Sequence, residues 1–232
     1  MSVELIGLDG DDTLWHSESL FTVTNERIAD LLAHHVDAAT LDARLLDTER
    51  RNLKLFGYGA KAFTLSMIET AIEVTEGRVA THEIQTIIDL GKALLAHPVE
   101  LLDGVADALA QLADRRLVLI TKGDLFHQES KVAGSGLGDR FESIEIVSEK
   151  DDHTYRRVLD RLGVAPEQFV MVGNSLRSDV APVVALGGRG VHVPYAHVWA
   201  LDSEPESDVP DERWWRIDSL GELPALVAKL DG

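Results

Sequence analysis

Residues Val3 to Leu8 are apolar and end at once in Asp9-Gly10-Asp11-Asp12-Thr13. A short apolar run cut off by a polar turn is how a strand of a parallel sheet reads, because such a strand buries both faces. The pattern returns at Leu117–Ile120 before Thr121-Lys122-Gly123-Asp124, at Ile144–Val147 before Ser148-Glu149-Lys150, at Phe169–Val172 before Gly173-Asn174-Ser175, and more weakly at Gly190–Val193. Between these runs the apolar spacing is helical. Tyr155, Val158, Leu159 and Leu162 share one face ahead of Gly163, and the stretch from Asp103 to Ala113 groups Val105, Leu109 and Leu112. A helix from Ser178 to Leu186 is also predicted, with Pro182 near its first turn, where a helix tolerates it. Strand alternating with helix from residue 103 onward predicts an α/β fold with a doubly wound, parallel, Rossmann-like sheet.

One stretch breaks the alternation. From Ser17 to Ala96 no strand is visible and the periodicity is helical throughout (Ile28, Leu31, Leu32; Leu41, Leu45, Leu46; Ile84, Ile87, Ile88), with Gly57-Tyr58-Gly59 as its strong breaker. The expected organisation is a core of residues 1–16 and 97–232, with an all-helical insertion, 17–96, after the first strand. No internal repeat or low-complexity segment is visible. A segment rich in Pro, Asp and Glu, Ser203 to Arg213, reads as a surface loop before the last helix, and Trp214-Trp215 as a pair packed against the core.

The 232 residues carry 22 Lys and Arg against 40 Asp and Glu, a net charge of −18, which repels nucleic acid and anionic membrane surfaces. There is no cysteine, so disulfides, thiol nucleophiles and Cys-based zinc sites are excluded. The opening MSVELIGLDGDD lacks the basic n-region of a signal peptide, and no apolar run approaches the ~20 residues of a membrane span. A soluble, cytoplasmic protein is the expectation; nothing in the sequence sets an oligomeric state.

Polar sites follow the four clearest strands, and in a doubly wound sheet ligands bind outside the carboxyl ends of the strands. Taken singly, each has an ordinary reading. Asp9 and Asp11 make either an acidic surface turn or two carboxylates facing one crevice. In the second case a repulsion of about 4 kcal/mol, for unit charges 4 Å apart at an effective dielectric of 20, demands a protonated group or a cation between them. Thr121 is a strand-ending hydroxyl or an anion contact, Lys150 a solvated helix start or a charge partner, and Asp179 a helix-start acid or a metal ligand.

The four together resemble the haloacid dehalogenase-like hydrolase superfamily, whose motifs are DxDxT, a strand-terminal Thr or Ser, a Lys, and an acidic GDxxxD-type loop. They stand here as Asp9-Gly10-Asp11-Asp12-Thr13, Thr121, Lys150, and Gly173-Asn174 through Asp179, and the helical insertion matches that family's C1-type cap. The resemblance points to the phosphatase branch. It implies that Asp9 is the nucleophile that becomes an aspartyl-phosphate and that Asp11 serves the leaving oxygen as acid and the attacking water as base. It further implies that Thr121 and neighbouring amides cradle the phosphoryl oxygens while Lys150 neutralises charge. Thr13, Lys122 and Gly123 join the implied substrate contacts, as do Arg51 and Lys54 of the cap. Mg²⁺ is the implied cofactor, held by Asp9, Asp11 through its carbonyl, Asn174 and Asp179, and the implied substrate is a small phosphorylated metabolite. Asn174 departs from the family's aspartate and supplies an oxygen without a charge.

Three other readings stay open. A 2-haloacid dehalogenase would share the fold and the aspartate nucleophile, but the resemblance implies no second motif-one Asp there, because a halide leaves without a proton. A phosphonatase would need a cap lysine, such as Lys54 or Lys61, for a Schiff base. Asn174 motivates a non-catalytic phospho-ligand binder. Around Gly57–Gly59, Arg50, Arg51, Lys54, Tyr58 and Lys61 read as substrate-selecting groups or as a solvated face beside a tight turn. The histidines, among them His34-His35, His153, His192 and His197, show no metal-ligand spacing and read as surface or loop residues.

Overall fold

A computed structural model describes residues 2–197, 199–201, 209 and 213–232; the expected loop from Ser203 to Arg213 lies almost wholly outside them. The strands are β1 (Leu5–Leu8), β2 (Arg116–Lys122), β3 (Ser143–Val147), β4 (Phe169–Gly173), β5 (Arg189–His192) and β6 (Trp214–Arg216). They pair in parallel, in the order β3-β2-β1-β4-β5-β6, which is the doubly wound Rossmann-like arrangement with its change of direction beside β1. The helices are α1 (Glu18–Leu32), α2 (Ala38–Phe56), α3 (Ala60–Val74), α4 (Thr81–Ala96), α5 (Val105–Gln111), α6 (Leu125–Ser135), α7 (Asp152–Leu162), α8 (Ala181–Ala185) and α9 (Leu223–Asp231).

Side chains alternate across the sheet, as the pleat requires. Ile6, Leu8, Leu117, Leu119, Val170 and Val172 join one apolar cluster with residues such as Val105 of α5, Val132 of α6 and Val227 of α9. Leu5, Val118, Ile120, Phe169 and Met171 face the other way, against Tyr155 and Val158 of α7 and Val183 of α8. Burial on both faces explains why the strands read as unbroken apolar runs.

Two details depart from the sequence reading. Trp214-Trp215 does not merely pack against the core: it begins β6, a three-residue strand too short to show alternation. The helix expected from Ser178 opens earlier, as a π-turn over Leu176–Val180 ahead of α8. Ser175 starts it, with its hydroxyl accepting the Ser178 N–H at 3.0 Å and its carbonyl accepting the Asp179 N–H at 2.9 Å. Single π-turns of this kind recur at functional sites.

The chain divides into two compact units, Met1–Ser17 with Val99–Gly232, and Glu18–Pro98. The second contains α1 to α4 around its own core of Ile28, Leu32, Leu45, Phe63, Met67 and Ile87. Gly57-Tyr58-Gly59 separates α2 from α3, but the unit has two further breaks, at residues 33–37 and 75–80. The first ends at Asp37, whose carboxylate caps α2 by accepting the Thr40 N–H at 2.9 Å. In the second, Gly77 takes a φ of 75°.

Candidate active site

The site begins where β1 stops. The Asp9 N–H donates to the Val172 carbonyl at 2.9 Å, which carries the ladder one residue past the strand. The chain then turns sharply, with the Leu14 N–H reaching the Gly10 carbonyl at 2.8 Å. A Cβ on Gly10 would stand 2.7 Å from the Trp15 ring and 3.2 Å from Thr121 Oγ1, so the approach needs glycine. Asp12 takes a φ of 61°, a region that Asp tolerates, and its Oδ1 accepts the Ser17 N–H at 2.8 Å. This turn delivers Asp9 and Asp11 to different partners.

Asp9 is buried. Its Oδ1 accepts the Lys150 ammonium at 2.5 Å and its Oδ2 accepts the Thr13 hydroxyl at 3.1 Å. Thr13 Oγ1 in turn accepts the Asn174 N–H at 3.0 Å. The same Lys150 nitrogen donates to Asp179 Oδ1 at 2.6 Å, and Asp179 Oδ2 accepts the Ser175 N–H at 3.0 Å. A Cβ on Gly173 would lie 2.1 Å from Asp179 Oδ2, so this glycine admits the carboxylate. The cation that crowded carboxylates demand is therefore present, but it bridges Asp9 and Asp179 rather than Asp9 and Asp11. Burial lifts the Asp9 carboxyl to about 7, with Lys150 pulling it down and Asp179 pushing it further up. Burial opposes the charge on Lys150, yet Asp179 and Asp9 together hold that ammonium above its ordinary value.

Asp11 is in the opposite state. Its Oδ1 accepts Trp15 Nε1–H at 2.6 Å and Lys131 Nζ at 2.8 Å; its Oδ2 accepts Lys131 Nζ and Gln128 Nε2, both at 2.9 Å. Burial would raise its carboxyl, but Lys131, helped by the hydrogen bonds from Gln128 and Trp15, holds it below the usual carboxylate value. Lys131 also donates to Ser17 Oγ at 3.2 Å, and Gln128 to the Lys122 carbonyl at 3.1 Å. Sequence reasoning missed both residues. Their only signal is i, i+3 spacing on α6, which a solvated helix face shows equally well.

The remaining expected residues divide by unit. Thr121 is the penultimate residue of β2, with its hydroxyl buried and without a hydrogen-bond partner among the described residues. Lys122 Nζ donates to Ser178 Oγ at 3.0 Å and lies 3.6 Å from Glu149. A Cβ on Gly123 would meet Gln128 Nε2 at 2.7 Å. The core unit thus brings Asp9, Asp11, Thr13, Thr121, Lys122, Gly123, Lys150, Asn174 and Asp179 to the carboxyl edge of the sheet. Arg51 and Lys54 lie on α2 of the helical unit, where Arg51 donates to Glu73 at 2.8 Å and Glu69 at 3.4 Å, and Lys54 is exposed. His192 corrects one expectation. It is buried in β5, with Nε2 donating to the Asn174 carbonyl at 3.0 Å, and supports the fourth loop from below.

A strand-end aspartate joined by one lysine to an acidic loop stands at the carboxyl edge of a doubly wound sheet, where such folds bind their ligands. Residues 3–187 match the model of haloacid dehalogenase-like hydrolases, and the chain belongs to that family. A haloacid dehalogenase-like family hydrolase from Xanthomonas campestris is 49% identical, with a TM-score of 0.89, covering 99% of this chain and 92% of that one. The N-acylneuraminate-9-phosphatase of Mus musculus is 29% identical over 172 residues, which are 70% of this chain and 66% of the mouse protein. The phosphoserine phosphatase of Thermus thermophilus is 34% identical over 96 residues, 38% of this chain and 39% of that protein. L-2-haloacid dehalogenase of Xanthobacter autotrophicus shares the fold, with a TM-score of 0.68 at 18% identity over 97% of this chain and 98% of its own.

Proposed function

We propose that the protein hydrolyses a small-molecule phosphate monoester through an aspartyl-phosphate on Asp9. The observation that carries this reading is the ordered second carboxylate. Asp11 stands two residues from Asp9 and is held in place by Trp15, Gln128 and Lys131, which suits a group that moves a proton to and from the ester oxygen. A halide leaving group needs none, so the dehalogenase alternative finds no support in this arrangement. The phosphatase relatives point the same way.

In this mechanism an Asp9 oxygen attacks phosphorus, the bond to the ester oxygen breaks, and Asp11 hands that oxygen a proton. Water then attacks the phosphoryl group, gives its proton to Asp11, and releases Asp9 and inorganic phosphate. Thr121, with its unpartnered buried hydroxyl, donates to a phosphoryl oxygen, and Lys150 offsets the charge that develops. The second step needs Asp11 ionised, which Lys131 favours; the first needs it protonated, so the grip on Asp11 sets the balance between the steps. The carboxylates of Asp9 and Asp179, the Asn174 side chain and the Asp11 carbonyl would hold Mg²⁺, since all of them offer the oxygen atoms that this ion prefers. Bound there, Mg²⁺ would supply positive charge that lets an anionic ester approach an anionic nucleophile. In this reading the helical unit is the cap, and its basic residues Arg51 and Lys54 select among substrates. The proposed location is the cytoplasm; among the described residues no helix is long and apolar enough to cross a membrane.

Phosphate release from p-nitrophenyl phosphate should require Mg²⁺, and chloride release from 2-chloropropionate should stay at background. The reverse result would establish the dehalogenase, and phosphate binding without release would establish a non-catalytic binder. Asp11→Ala should slow hydrolysis of alkyl phosphates by about 10²–10⁴-fold and of activated aryl phosphates much less, since a good leaving group needs no acid. Lys131→Met lets Asp11 hold its proton more readily, so it should slow the water-attack step shared by both ester classes by about 10–100-fold, and the Asp11→Ala/Lys131→Met double variant should be no slower than Asp11→Ala alone. Additive losses would mean that Lys131 does not act through Asp11.

A further inference from the structure

We infer that His34, His35 and Glu83 form a binding site for a transition-metal dication, Zn²⁺ by its donor set, within the helical unit. The two histidines lie in the turn after α1, and Glu83 is the third residue of α4. One ligand atom from each lies within 4.8 Å of the other two.

The geometry is that of a site rather than a chance ion pair. Glu83 is 2% exposed, and a carboxylate is seldom so buried without a partner for each oxygen. One oxygen is provided for: Oε2 accepts the Ala80 N–H at 2.7 Å, the capping bond of α4. That bond fixes the carboxylate and leaves Oε1 without a hydrogen-bond partner, although His34 Nε2 stands 3.3 Å away. His35 Nε2, itself buried and without a hydrogen bond, aims at Oε2 from 3.6 Å. Both rings point a nitrogen at this carboxylate, and neither approaches as closely as a good hydrogen bond would. For metal–ligand bonds of about 2.0–2.2 Å, the edge of a tetrahedron is about 3.3–3.6 Å. His34 Nε2 stands 3.3 Å from Oε1 and His35 Nε2 3.6 Å from Oε2, separations of that size to the two oxygens of one carboxylate, so an ion could be taken up with small side-chain shifts.

The ligand chemistry sets the class of ion. Two imidazoles and one carboxylate suit Zn²⁺, which commonly takes such a set with water in a fourth position. His34 is largely exposed and gives a path for ion and water. The Ala80 N–H acts from outside the ligand set to orient Glu83, as outer partners do in metal sites. The sequence conceals the arrangement because adjacent histidines lack ligand spacing, and Glu83 arrives from the far side of two helices. Occupancy would tie the turn after α1 to the first turn of α4, so the ion would stabilise the helical unit by mass action.

The test uses the full chain, stripped with chelator and titrated with Zn²⁺ and, in parallel, Co²⁺. Expected are one tight equivalent that survives Asp179→Asn, a raised Tm, and the visible absorption of four-coordinate Co²⁺. His34→Ala, at an exposed position that leaves packing intact, should weaken binding by more than about tenfold, and His35→Ala should do the same. Glu83→Gln keeps an acceptor for the Ala80 N–H and should fold, yet lose the Co²⁺ spectrum. No tight equivalent in the wild type, or one that survives His34→Ala and Glu83→Gln unchanged, would overturn the site. An equivalent that disappears with Asp179→Asn would overturn it too, by placing the ion in the core.

Discussion

Asp9→Asn is expected to abolish turnover and to leave a protein at least as stable as the wild type. The first half follows from the mechanism proposed for Asp9. An amide cannot form the acyl-phosphate, so kcat should fall by several orders of magnitude, on the scale of the ~10⁶ lost when other covalent hydrolases lose their nucleophile. The second half follows from burial. Asp9 shares Lys150 with Asp179, and burial has lifted its carboxyl to about 7. A raised carboxyl costs stability above its unfolded value near 3.8, and the cost grows as pH rises toward 7. Asn removes that cost while its side-chain oxygen still accepts from Lys150, and Lys150 keeps Asp179. The Tm difference in favour of the variant should thus be near zero at pH 4 and widen by pH 8. A variant that retained wild-type rates on p-nitrophenyl phosphate would refute the nucleophile. One that had lost several degrees at pH 8 would refute the electrostatic account of Asp9. Mass spectrometry of quenched wild type should show one phosphoryl group, absent from Asp9→Asn.

The carboxyl edge of the sheet was legible because sequence and structure coincide there. Three of the four clearest apolar runs are buried on both faces, so their ends mark the sheet edge, and the residues there are placed by the strand itself: Asp9 after β1, Thr121 one residue from the end of β2, Asn174 after β4; the remaining run, in edge strand β3, leaves Ile144 exposed. What was not legible depends on contacts between distant residues. Gln128 and Lys131 reach Asp11 from 117 and 120 residues away, and nothing along α6 distinguishes them from solvated side chains. Trp214 and Trp215 look like packing residues because an edge strand of three residues has no period to detect. His192 reads as a loop residue because its run is short, although parallel pairing with β4 buries it beneath Asn174. In the helical unit, the breaks at 33–37 and 75–80 are made by caps and a single glycine rather than by a cluster of breakers.

Lys150→Met is the change expected to cost the fold most. Lys150 is 5% exposed, and its ammonium is the shared partner of two carboxylates that are themselves buried. Methionine fills much of the same volume, so the loss is electrostatic, and breaking a buried pair by removing one partner costs about 3–5 kcal/mol. In the wild type the lysine is raised above its ordinary value. Its contribution is therefore complete below about pH 10.4 and is lost only as pH climbs through the raised value. Across the neutral range the pH dependence of the variant must come from the carboxylates it leaves behind. Without Lys150, Asp9 loses its downward pull and stays protonated to higher pH. The variant's deficit should then be smaller around pH 4, where Asp9 is protonated with or without the lysine, and should grow toward pH 8 as pH rises through about 7, where the wild-type Asp9 ionises and the variant's does not. Chemical denaturation in chelator-treated buffer at the two pH values measures this directly. A deficit independent of pH would mean that Lys150 acts by packing alone. If the oxygen set around Asp9 and Asp179 takes Mg²⁺, adding it at pH 8 should restore part of the deficit, because a second cation then meets the same two carboxylates. Turnover should not return with it, since in the proposed mechanism the ion cannot replace an ammonium held 2.5 Å from the Asp9 carboxylate.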